Sequence, residues 1–113
     1  MSLERLTITS SSGDPRIVLE TDNTTGMPSM RFLDQAAKDR LVIGLDPSGN
    51  PQINLLRKDG SIAMRISVSE GPDAAMAICY PNGHPAFRIQ LPASGTVELA
   101  LFHVDGECVW AAP

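Results

Sequence analysis

Apolar residues return every 23 positions along this chain: Met30, Ile53, Met76 and Leu99 form one series, and Leu41, Met64, Phe87 and Trp110 form a second. A fixed period of this length marks a chain built from repeated supersecondary units, which restricts the fold far more than composition does. Within each unit the apolar residues alternate with polar ones. The segments Leu41, Ile43, Leu45, then Met64, Ile66, Val68, then Phe87, Ile89, Leu91 each put every second side chain on one face, as a strand with one buried face requires.

Each unit therefore reads as two strands joined by a tight turn. The central one is Arg57-Lys58-Asp59-Gly60-Ser61-Ile62, where an Asp-Gly pair lies between two alternating runs. Asp-Gly predicts a two-residue type I′ hairpin, with positive φ at both central residues. Such a turn sets Leu55 opposite Met64 and Ile53 opposite Ile66. The same pairing logic places turns at Ser12-Gly13, Asn82-Gly83 and Asp105-Gly106. Unit two is the exception: pairing Phe32 with Leu41 centres the turn on Ala36-Ala37, which predicts a different turn type or a wider loop. At the other strand ends, Asp46-Pro47-Ser48-Gly49-Asn50 and Pro92-Ala93-Ser94-Gly95-Thr96 fit three-residue loops with a left-handed Gly, and Ser69-Glu70-Gly71-Pro72-Asp73 is a looser relative.

Propagated through both turn sets, the registers give an all-β domain, an antiparallel β-meander of about ten short strands. Its units run over 6–29, 30–52, 53–75, 76–98 and 99–113. The rival is a parallel β-solenoid with one coil per repeat, which the recurring Gly turns disfavour. The apolar tiers run straight across the strands. Closing a barrel needs a climbing register, so an open sheet, a prism or a sandwich is preferred, with the connection from Asp22 to Pro28 as the place where a sandwich would bend. Such a sheet carries one apolar face, formed by Met30, Phe32, Leu41, Ile43, Ile53, Leu55, Met64, Ile66, Met76, Ile78, Phe87 and Ile89. No helix is predicted to cover it. Self-association as a dimer or trimer is the expectation, with the solvated face carrying the row Arg31, Val42, Asn54, Arg65, Ala77, Arg88, Ala100.

The quoted pattern of apolar pair, Asp, turn, Gly and strand, in Leu56 to Ile66 and again in Ile43 to Pro51, resembles uncharacterised bacterial proteins made of tandem short β-hairpin repeats. The resemblance covers most of the chain. It implies the all-β repeat fold, no activity, and no site residues to carry over. In architecture alone, the array is also similar to trimeric phage-fibre and adhesin segments.

Composition narrows function further. At 113 residues the chain makes one domain, and with 4% aromatic residues its core must come from Leu, Ile, Val, Met and Ala. A net charge of −4 provides no general attraction for nucleic acid. No apolar run is long enough to span a bilayer, and the first residues lack a signal core, so a reduced, cytoplasmic setting is the default expectation. Cys79, His84, His103 and Cys108 are the one set with possible metal chemistry, but they lack the close ligand spacing of a zinc site, and no metal or other cofactor is expected. Ser10-Ser11-Ser12-Gly13 is a turn and not a nucleophile elbow, and no Gly-rich phosphate loop opens a helix. The expectation is a non-enzymatic structural or interaction module. The alternative is a lectin-like or small-ligand binding module that uses rim loops with His84 and His103, or the outer arginines Arg31, Arg65 and Arg88, whose planar forks suit an acidic or sugar ligand.

Overall fold

The computed structural model describes residues 3–69 and 73–112. Ten strands form a single open antiparallel sheet in which spatial order equals chain order. They are β1 (Arg5–Thr9), β2 (Pro15–Thr21), β3 (Pro28–Leu33), β4 (Asp39–Leu45), β5 (Pro51–Leu56), β6 (Ile62–Val68), β7 (Ala74–Cys79), β8 (Pro85–Leu91), β9 (Glu98–Phe102) and β10 (Cys108–Ala112). Four strands begin with proline, the strand position where a missing N–H is least costly. Every pairing is antiparallel, so the solenoid is excluded.

Both apolar tiers are continuous from edge to edge. One runs Leu6, Leu19, Met30, Ile43, Ile53, Ile66, Met76, Ile89, Leu99 in direct cross-strand register. The next runs from Ile8 and Ile17 through Leu55, Met64, Ile78 and Phe87 to Leu101 and Trp110.

The turn chemistry differs from the type I′ expectation. At the central hairpin Gly60 N donates to Arg57 O (2.9 Å) and Arg57 N donates to Ser61 O (2.9 Å). Gly60 alone, not Asp59, has positive φ, at 89°. This is a type I turn followed by a left-handed residue, in register with Leu56 and Ile62, and a separate bulge between Leu55 and Leu56 restores the pairing of Leu55 with Met64. Asp59 serves another purpose: its Oδ1 accepts from Ser61 N (2.8 Å) and Ser61 Oγ (2.7 Å), closing the turn from outside.

Unit two is no exception either. Ala37 N donates to Asp34 O (3.0 Å) and Asp34 N donates to Lys38 O (2.9 Å), the same closure as at Gly60. Ala37 occupies the left-handed position at φ 61°. Asp34 Oδ1 accepts from Ala36 N and Lys38 N, which holds the strained residue in place. Residues 37, 60, 83 and 106 are thus equivalent, 23 apart, with alanine once where glycine stands three times. The loops closed by Gly49 and Gly95 take the expected form. Of the Ser69 to Asp73 loop, Ser69 N donates to Asp73 O (2.9 Å), while Glu70, Gly71 and Pro72 lie outside the described residues.

The sheet does not bend back at Asp22 to Pro28. That loop is tied by Asp22 N to Met27 O (2.9 Å) and by Thr24 N and Thr25 N to Asp22 Oδ1 (both 2.8 Å), and β2 and β3 stay paired down to Thr21 and Pro28. Among the described residues each strand packs only against its sequence neighbours. Nine inter-strand gaps of about 4.8 Å account for most of the 48 Å long axis. The radius of gyration is 16.7 Å, against about 13 Å for a compact chain of this length.

Candidate functional site

With a single layer, neither face is covered by another element, and the two faces differ in an unexpected sense. The apolar tiers are half-exposed: Ile43, Leu55, Ile66, Ile78 and Leu101 retain 39–41% of their surface. The buried residues among those described are Val18 (1% exposed), Ala100 (7%) and Asn54 (8%); Asn54 and Ala100 belong to the row predicted to be solvated, and Val18, paired with Arg31, extends that row onto β2.

The register explains this. Val18 lies directly across from Arg31, Asn54 from Arg65, and Ala100 from Arg88. Each buried residue thus has an arginine as its direct cross-strand neighbour, a side chain whose methylene stem suits covering apolar surface. Arg31 reaches both flanking strands, donating to Glu20 Oε1 on β2 (2.8 Å) and Asp39 Oδ1 on β4 (3.0 Å). Arg65 donates from Nε to Asn54 Oδ1 on β5 (2.8 Å). Arg88 stacks over the Phe102 ring on β9, 5.1 Å from its centroid.

The row thus divides electrostatically. Partial burial opposes charge on Arg31, but Asp39 and Glu20 outweigh it and raise its pKa above the ordinary arginine value. Among the described residues no carboxylate pairs with Arg65 or Arg88; the ion pairs involve Arg5, Arg16, Arg31 and Arg40. Between those two arginines the middle strand β7 presents Ala77, in register with both.

At the sheet end that carries the Ala37 and Gly60 turns, successive units are laced together. Arg57 Nη2 donates to Cys79 O (2.7 Å), and 23 residues later Tyr80 makes the equivalent bond, from its hydroxyl to Phe102 O (2.9 Å). Arg40 Nε donates to Leu56 O (2.9 Å) in the same sense. These side-chain clamps between units carry no signal in the alternating pattern, because the donor changes from Arg57 to Tyr80 at one repeat position and comes from a different repeat position at Arg40.

The twelve apolar residues predicted as a self-association face do share one face. Arg31, Arg65 and Arg88 share the other. His84 and His103 sit exposed at neighbouring turns, with His84 Nδ1 3.3 Å from where a Cβ on Gly106 would stand. Cys79 and Cys108 are free thiols. Among the described residues, no three His, Cys, Asp or Glu side chains come together in a way that could hold a metal ion. No helix of the described residues is long and apolar enough to cross a membrane. No protein-family model matches the chain, and no curated protein matches it in sequence.

Proposed function

We propose that this chain is a non-enzymatic structural or interaction module that assembles with copies of itself through the apolar face of its sheet. It fits a stalk, cap or scaffold, in keeping with the tandem hairpin-repeat proteins its turns resemble. The observation that carries this reading is the half-exposed state of two continuous apolar tiers. An apolar sheet face is stable in water only when another layer lies on it, and this chain has no second layer to offer among its described residues.

The surface area favours a second copy as that layer. The chain exposes 7467 Å², against about 6,000 Å² for a compact monomer of this mass. The surplus, roughly 1,400 Å², exceeds the roughly 800 Å² per partner that a stable interface buries. Sheets packed face to face, about 10 Å apart, would interdigitate the Ile and Leu side chains of both tiers.

Light scattering across a concentration series tests the proposal, with Ile66→Lys as the variant. Ile66 keeps 41% of its surface in the single chain, so in a solitary sheet lysine there should cost about 1–2 kcal/mol, from the partial burial it loses beside Ile53 and Met76. Within an assembly the same lysine would be a buried, unpaired charge. A multiple of 12.1 kDa that falls to one chain in the variant supports the reading. A monomer at all concentrations overturns it.

A further inference from the structure

The arginine row contains one gap. Arg65 leans away from β7 to bond Asn54, and Arg88 leans the other way to stack on Phe102, so Ala77 between them is left without the cover that Asn54 and Ala100 receive. A hollow of about 480 Å³ opens there, within the range of small-ligand sites. Its side walls are the two arginines, its floor is Ala77 and Cys79, and Pro81 and Pro85 border it from the β7–β8 turn.

We propose that this hollow binds an organic carboxylate. Three features converge on that class. Among the described residues Arg65 bonds only through Nε, so both terminal amino groups remain as a planar fork matched to two carboxylate oxygens. Arg88 is held by an aromatic ring and not by an anion, and therefore keeps its charge uncompensated among the described residues. Ala77, Cys79, Ile62, Pro81 and Pro85 make the rest of the lining mainly apolar, with Ser61 and Asn82 as its polar side chains at the turns, which suits an apolar body better than a hydrated inorganic ion. Arg31 makes the internal comparison: in the same row, its fork is already filled by Glu20 and Asp39. The hollow lies on the face opposite the apolar tiers, so packing of copies through those tiers would leave it open.

The test is an NMR titration with benzoate, with inorganic phosphate as a parallel probe. Benzoate should saturably shift the Ala77 methyl and amide and the Nε–Hε signals of Arg65 and Arg88, leaving the Ile66 methyls unmoved. Ala77→Leu, which fills the hollow and keeps both arginines, should weaken binding at least about tenfold, as should the double variant Arg65→Gln, Arg88→Gln, whereas Arg31→Gln should leave it unchanged. Circular dichroism establishes that each variant is folded. Shifts that do not saturate, or that persist in folded Ala77→Leu, overturn the site. Phosphate binding as tightly as benzoate overturns the assignment to a carboxylate with an apolar body. Neither result bears on self-association, which light scattering reads separately.

Discussion

Ala37→Gly should stabilise this protein, although placing glycine in a folded chain ordinarily does the reverse. Ala37 sits at φ 61° in a turn whose equivalents carry Gly60, Gly83 and Gly106 at 89–93°. An L side chain in the left-handed region costs about 1–2 kcal/mol through the contact of Cβ with the following carbonyl. Glycine removes that strain but adds unfolded-state freedom that takes back about 0.4–1 kcal/mol. The net expectation is a gain of about 0.5–1 kcal/mol, or roughly 2–4 °C in Tm for a domain of this size. The mirror experiment is Gly60→Ala. A Cβ there would meet no heavy atom within 4 Å, so its cost is conformational alone, and a loss of about 0.5–1 kcal/mol is expected. Urea unfolding at one fixed protein concentration reads both, because assembly would otherwise shift the midpoint. If Ala37→Gly lowers the midpoint, or Gly60→Ala leaves it unmoved, the equivalence of these turns is wrong.

Gly44→Ala should show the opposite sign to the usual strand trend, in which alanine stabilises: its Cβ would stand 2.8 Å from Pro28 O and 3.1 Å from Ser29 Cβ. A loss of about 1–3 kcal/mol by chemical denaturation is expected, and an unchanged or raised midpoint would refute the close approach of β3 and β4. Acid should weaken the turns. The Asp22 carboxylate is held below its ordinary 3.8 by the Thr25 and Thr24 amides, Asp34 by the Lys38 and Ala36 amides together with Arg40, and Asp59 by the Ser61 hydroxyl and amide. Their folded values lie below the unfolded ones, so their contribution is present above 3.8 and is lost as pH falls through the lowered values. Asn at all three positions keeps the acceptor oxygens, so it should flatten the dependence of Tm on pH below about 4; an unchanged slope would show that the turns do not sense the protons.

The meander, its ten strands and the residue-by-residue register were legible because hydrophobic alternation and turn spacing are redundant: a slip of one residue at Leu55 and Met64 would have reversed every later strand. Turn type was less legible. Asp59-Gly60 signals a hairpin, but the same dipeptide serves a two-residue turn or a three-residue loop with a bulge, and only the Arg57 and Ser61 hydrogen bonds decide between them. Ala37 concealed an identical turn because the sequence reading tied left-handed backbone to glycine, whereas here the Asp34 carboxylate enforces it. The apolar face could be read from alternation alone; that it stays half-exposed in the chain could not, since alternation predicts which residues share a face and not what covers it. The hollow at Ala77 was beyond reach for a related reason. The sequence places three arginines on one face, and only the structure distinguishes the one whose charge is met from the two that meet no carboxylate among the described residues.

The arginine row also explains how a one-layer sheet protects its backbone. In a globular domain a second layer shields the ladder hydrogen bonds from water on at least one side. Here the polar face supplies part of that shield itself: Val18, Asn54 and Ala100, each paired with an arginine, are almost inaccessible without a helix or another sheet among the described residues. Each arginine is anchored at its far end, by a carboxylate pair at Arg31, an amide oxygen at Arg65 and an aromatic ring at Arg88. The apolar face has no equivalent cover, since its Ile, Leu, Met and Phe side chains carry no charged head to anchor on a neighbouring strand. One face is thus partly covered from within the chain, while the other keeps its apolar tiers half-exposed.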